Sequence, residues 1–199
     1  MSDSASRRRL ARAALRLASW SGIPPLALMM DDVRLPDPLP AVRALPPGSI
    51  VVVRAKAAAR RRTLAFAVAK IARARRLIVL IAGDADLARA CGAKGVHLSE
   101  ARVGEAAALR ARGFPLVTAA AHSFSALRQA KNMDAVFLSP VFPTQSHPGR
   151  AAYGPVRANL MAQQSAAPVY ALGGITGRNA VQLSEGAFDG IAAVGALGA

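Results

Sequence analysis

Apolar residues in this chain gather into short unbroken runs and seldom alternate with polar ones. Eight runs stand out: Leu26–Met30, Ile50–Val53, Leu77–Ala82, Gly95–Leu98, Leu116–Ala121, Ala135–Leu138, Val169–Leu172 and Gly190–Ala193. Each is too short for a helix, and the missing alternation marks strands buried on both faces, as in a parallel sheet. Between them lie Ala-, Leu- and Arg-rich stretches about as long as crossover helices: Thr63–Arg75, Asp84–Cys91, Gly104–Arg112, Ser123–Ala130 and Thr176–Glu185. The first crossover, Pro36–Pro47, is rich in proline, which argues against a helix there. Ahead of all of these, Leu10, Ala13, Ala14 and Leu17 recur at helical spacing while Arg9, Arg12 and Arg16 take another face. That spacing predicts an amphipathic helix with Ser4 or Ser6 as its N-cap and Gly22 as its stop.

Eight strands joined by seven crossovers predict an α/β fold, a minimal (β/α)8 TIM barrel, in about the smallest length that accommodates one. A doubly wound sheet usually has fewer strands in such a length. A weak internal echo, Cys91-Gly92-Ala93-Lys94-Gly95-Val96 against Gly186-Ala187-Phe188-Asp189-Gly190-Ile191, reads twice as a glycine-ended helix entering a buried strand. The expected organisation is an N-terminal helix over residues 1–22 packed on a single barrel domain over 23–199. Only five residues follow Val194, so the eighth outer helix is missing or short. Either the N-terminal helix or the second subunit of a homodimer then covers the gap.

Composition narrows the class. Hydrophobic residues make up 53% and charged ones 19%, which excludes a disordered chain. No apolar run approaches the ~18 residues of a membrane-spanning helix. A single cysteine, Cys91, excludes an internal disulfide and a thiolate-rich zinc site, so a cytoplasmic protein is expected. The net charge of +15 attracts anions. With aromatics at 5% and no basic–aromatic interleaving, it argues for Arg on solvated helix faces and against a nucleic-acid partner.

In a barrel, chemistry sits where the strands end. After the seventh run comes Leu172-Gly173-Gly174-Ile175-Thr176, and after the eighth Ala193-Val194-Gly195-Ala196. Small residues at these two loops let backbone N–H groups point at a ligand, an arrangement suited to phosphate and found at its usual place in this fold. The longest loop, Ser139-Pro140-Val141-Phe142-Pro143-Thr144-Gln145-Ser146-His147-Pro148-Gly149, carries three prolines and several short polar groups able to close over a ligand.

Taken in order, Gly95-Val96-His97-Leu98, Ala121-His122-Ser123, Val141-Phe142-Pro143-Thr144 and Ala171-Leu172-Gly173-Gly174-Ile175 resemble the thiamine phosphate synthase family and its relative, the thiazole tautomerase family. The similarity runs from about Leu26 to the C-terminus. The resemblance implies a (β/α)8 barrel that joins an aminopyrimidine diphosphate to a thiazole phosphate and releases diphosphate, so the expected partners are these small phosphorylated substrates. Matched to the family's Gln-x-Arg-x-Lys pattern, Val52-Val53-Arg54-Ala55-Lys56 keeps Arg54 and Lys56 as diphosphate ligands and replaces the glutamine by Val52. Thr144 and Ser146 would reach the thiazole phosphate, and Gly173, Gly174, Val194 and Gly195 would cradle it. His122 matches a family position and is a candidate substrate contact. No catalytic residue is assigned.

The family also implies Mg²⁺ held by two acidic residues. Here Ala82-Gly83 replaces the Asn-Asp pair at the first position, with Asp84 next to it, and Arg102 stands at the second, two residues after Glu100. No metal ligand is therefore assigned. A serine expected before the Ala-His pair is Ala120, a lysine after the Phe-Pro-Thr loop is His147, and the tautomerases' histidine is Pro140. The residues leave open a thiamine phosphate synthase, slow or metal-independent; a barrel that binds phosphate esters without turnover; and a tautomerase-like protein.

Overall fold

A strand with no polar face must be covered on both sides, and a closed barrel does this with its own side chains inside and helices outside. In the computed structural model, which describes residues 3–18, 22–144 and 151–198, eight parallel strands close such a barrel in sequence order. They are β1 (Leu26–Met29), β2 (Ile50–Val53), β3 (Ile78–Ala82), β4 (Gly95–Leu98), β5 (Leu116–Ala121), β6 (Ala135–Leu138), β7 (Val169–Ala171) and β8 (Gly190–Ala193). Only Met30, Leu77 and Leu172 of the expected runs fall outside, each by one residue. Closure comes from β1 pairing β8, with Leu26 opposite Ile191 and Leu28 opposite Ala193.

The interior is filled by large side chains from neighbouring strands. Phe137 on β6 stacks on Tyr170 on β7 at 5.1 Å and meets His97 on β4 at 4.9 Å. Tyr170 is fully buried, and its hydroxyl donates to Pro24 O at 2.5 Å. Room for that ring is made on β8, where a Cβ on Gly190 would lie 2.6 Å from it.

The outer layer departs from expectation where side chains compete with the helix. Helix α1 runs Asp3–Leu17, so Ser4 and Ser6 lie inside its first turns and Gly22 is five residues beyond its end. Proline did not prevent a helix in the first crossover: α2 spans Leu39–Ala44, because proline is tolerated in a first turn, where the N–H has no partner. Helix α3 (Ala58–Arg75) starts five residues earlier than expected. Helices α4 (Ala85–Cys91), α5 (Ala106–Ala111) and α6 (Phe124–Gln129) fall inside their expected stretches. Asp84 and Ser123 cap α4 and α6, accepting N–H bonds from Leu87 at 2.9 Å and Ala126 at 3.1 Å. An unanticipated helix, α7 (Pro155–Ala162), fills the sixth crossover. The helix expected over Thr176–Glu185 shrinks to one 3-10 turn, Ala180–Gln182. There Asn179 accepts the Thr176 N–H and donates to Gly174 O, a side-chain alternative to helical bonding.

The last helix, α8, is a four-residue stub, Gly195–Gly198. Helix α1 lies against β8, β1 and α8, with Leu10, Ala14 and Leu17 buried beneath it. It thus covers the flank that a full eighth helix would occupy. Its other contact is the loop after β7: a Cβ on Gly177 would stand 2.9 Å from Arg9 Cβ and 3.0 Å from Ser6 O.

Candidate functional site

A cavity of about 450 Å³ opens at the C-terminal ends of the strands. Gly173, Gly174 and Thr176 from the β7 loop form one wall, Val194 and Gly195 after β8 the next, and Pro143 and Thr144 after β6 a third. Asp31 and Arg34 after β1, Arg54 after β2 and Ser6 of α1 complete it.

The glycine wall is dictated by backbone shape. Gly173 and Gly174 adopt φ of +95° and +62°, which L-residues rarely take. A Cβ on Gly173 would lie 2.9 Å from Pro140 Cα, and one on Gly174 only 2.3 Å from Pro143 O. The β6 loop is bonded onto this turn, with Val141 N–H donating to Leu172 O at 2.9 Å and Phe142 N–H to Gly173 O at 3.0 Å. Asn179 Nδ2 ties down Gly174 O at 2.9 Å. Carbonyls on this turn are therefore consumed by the protein. Among the described residues, the N–H groups of Gly173, Gly174 and Gly195 donate to no protein acceptor. Such a set of amides beside small residues suits an oxyanion.

The two cations lie just past the end of β2. Arg54 lines the main cavity, and both Arg54 and Lys56 line an adjoining cleft of about 240 Å³ with Asp31, Asp32 and Arg34. Buried Ala55 sits between them, and Asp32 Oδ2 fixes the turn by accepting the Lys56 N–H at 2.8 Å. The structure thus brings Arg54, Thr144, Gly173, Gly174, Val194 and Gly195 to one cavity and sets Lys56 next door. Ser146 and His147 lie outside the described residues.

His122 lines neither space. It sits half-buried after β5, with Nδ1 3.0 Å from Ser139 O and 3.1 Å from Ser139 Oγ. A carbonyl can only accept, so Nδ1 carries the proton. Ser139, not His122, faces the cavity. Beneath the site, His97 is buried with Nδ1 2.9 Å from Thr118 Oγ1. Burial, then the positive charge of Arg54 and the neighbouring His122, push its pKa from 6.5 down to about 3, so it is a neutral packing group.

The positions implied for Mg²⁺ do not fit that ion. Asp84 caps α4 and faces Arg61 at 3.6 Å. Glu100 accepts the His122 N–H at 2.7 Å and the Ser123 hydroxyl at 3.1 Å. Arg102 donates to Gly83 O at 2.8 Å and to both carboxylate oxygens of Glu105, at 2.5 and 2.7 Å. Among the described residues no three His, Cys, Asp or Glu side chains group to hold a metal. Mg²⁺ needs oxygen ligands in near-octahedral order, and these carboxylates are committed elsewhere while a guanidinium occupies the second position.

The structure adds Ser6, Asp31, Arg34, Ser139 and Thr176 to the cavity lining, and Asn179 as a brace of its glycine turn, to none of which the sequence assigns a site role. The signal for Arg34 was present: Asp31-Asp32-Val33-Arg34 follows the first strand directly, where a barrel carries function.

Comparison with known proteins agrees with this fold. The family model described as thiamine monophosphate synthase matches residues 39–197. The thiamine-phosphate synthase of Chloroflexus aurantiacus is 35% identical over 124 residues, 60% of this chain and 57% of that protein. That of Methanoregula boonei is 36% identical over 121 residues, 56% of this chain and 54% of its own length. The matched segment thus spans little more than half the length of these curated relatives. Among solved structures, the thiamine phosphate pyrophosphorylase of Pyrococcus furiosus superposes with a TM-score of 0.73 at 22% identity, covering 91% of each chain, a likeness of fold. Among the described residues no helix is long and apolar enough to cross a membrane.

Proposed function

This chain belongs to the thiamine monophosphate synthase family, and from that premise we propose that it joins an aminopyrimidine diphosphate to a thiazole phosphate, releasing diphosphate. One observation supports this reading above others: Gly173, Gly174 and Gly195, whose N–H groups donate to no protein acceptor among the described residues, line the same cavity as Arg54, with Lys56 in the cleft beside it. The thiazole phosphate sits against Gly173, Gly174, Val194 and Gly195, within reach of Thr144 and, from the sequence, Ser146. The diphosphate sits by Arg54 and Lys56. When it departs, the bonding pair goes onto its oxygen, and fixed cations next to that charge lower the barrier. A side-chain site of this kind works without the carboxylates that the family places around Mg²⁺. His122, bonded through Nδ1 to Ser139, braces a residue that lines the cavity.

The commitment of Asp84, Glu100 and Arg102 to protein partners favours a second reading, a barrel that binds the phosphate ester without turning it over. Incubating the protein with both substrates, with and without Mg²⁺, and separating the products by chromatography decides between them. Thiamine phosphate formed in the absence of Mg²⁺ supports the synthase. No product under either condition, with calorimetric binding of the thiazole phosphate retained, supports the binder. Neither product nor binding refutes both.

A further inference from the structure

The main cavity and the cleft beside it share three lining residues: Asp31, Arg34 and Arg54. Of the two cations, Arg54 matches the family pattern and Arg34 does not; Arg34 also precedes residue 39, where the family match begins. Its Nη2 nevertheless stands 3.5 Å from the point a Cβ would occupy on Gly195, in the glycine cradle. The loop that carries it is fixed. Asp31 Oδ1 accepts the N–H groups of Val33 at 3.1 Å and Arg34 at 3.0 Å, Leu35 N–H donates to Asp31 O at 2.9 Å, and the Leu35 side chain is buried. Asp32 is occupied in turn by Arg60 and the Lys56 N–H.

We propose that Arg34 is the wall common to two anion sites, its guanidinium serving both a phosphate monoester in the glycine cradle and a diphosphate in the adjoining cleft. This rests on the phosphate reading of the cavity given above. Two phosphoryl groups held side by side repel each other, and a cation between them offsets that repulsion. A guanidinium suits this better than an ammonium, because its five N–H donors are fixed in a plane whose edges can face two ligands at once, whereas an ammonium offers three on a compact point charge. Arg34 is therefore a specificity-determining residue, selecting a pair of phosphorylated ligands over either alone.

The test titrates the full chain with inorganic phosphate and with inorganic diphosphate, separately and together, by calorimetry, so that no turnover is read. Losing a charge-assisted hydrogen bond costs about tenfold in affinity or more. Arg34→Gln should therefore weaken both ions about tenfold, and the second ion should bind worst when the first is already saturating. Lys56→Gln should weaken diphosphate alone. Arg34→Lys keeps the charge but should still impair binding of the two ions together. If Arg34→Gln alters the affinity for only one ion, or for neither, the shared wall is refuted. If the unmodified protein binds neither ion, the phosphate reading itself fails and this proposal with it.

Discussion

Acid should destabilise this barrel through His97, and the size of the effect follows from its surroundings. The imidazole is buried against Phe137 and Thr118, with its pKa lowered from 6.5 to about 3, by burial first and then by the charges of Arg54 and His122. Below pH 6.5 the unfolded chain takes up a proton that the folded one refuses. Stability from this group is thus complete above about pH 6.5 and falls as the pH drops towards 3. At pH 5, about 1.5 units below the unfolded value, the loss is about 2 kcal/mol, or roughly 30-fold in the folding equilibrium. Urea unfolding followed by circular dichroism at pH 7.5 and pH 5.0, on the parent chain and on His97→Gln, isolates the term. The parent should lose about 2 kcal/mol more than the variant over that interval, whatever the variant's own starting stability. Parallel losses in the two proteins would show that His97 is not the group responsible.

Two further outcomes test the architecture. Removing residues 1–20 uncovers the flank over β8 and β1 and deletes the fully buried Leu10 and Leu17, worth about 3–6 kcal/mol together, so the truncated chain should aggregate; an unchanged soluble monomer by light scattering would contradict the role given to α1. Gly174→Ala forces a left-handed residue, at about 1–2 kcal/mol, and drives a Cβ to 2.3 Å from Pro143 O, so it should lower stability and abolish inorganic phosphate binding together; retained binding in calorimetry would remove the glycine turn from the site.

The barrel could be read from the chain because burial on both faces writes itself as uninterrupted apolar runs, and all eight runs became strands. The outer layer was harder to read. Pro38 and Pro40 look like helix breakers until it is clear that they stand at a helix start, and Thr176–Glu185 has helical composition but yields to the side chain of Asn179. The glycine loops and Arg54 reached one cavity as expected because strand ends must converge in a closed barrel. Arg34 is legible only in part: its place just after the first strand is a signal, but nothing local in Asp31-Asp32-Val33-Arg34 says that the loop folds back towards Gly195. His122, conspicuous as a histidine at a strand end, is turned to Ser139.

Ser6 touches the same cavity as the glycine turn, while Leu10 and Leu17, further along the same helix, are sunk into the barrel flank. Whatever fills that cavity therefore leans on a segment that lies ahead of the region shared with the family, residues 39–197. The seating of that helix and the affinity for the ligand become linked quantities, each strengthening the other by the same factor. A protease that nicks this chain near its start would thus be slowed by the ligand.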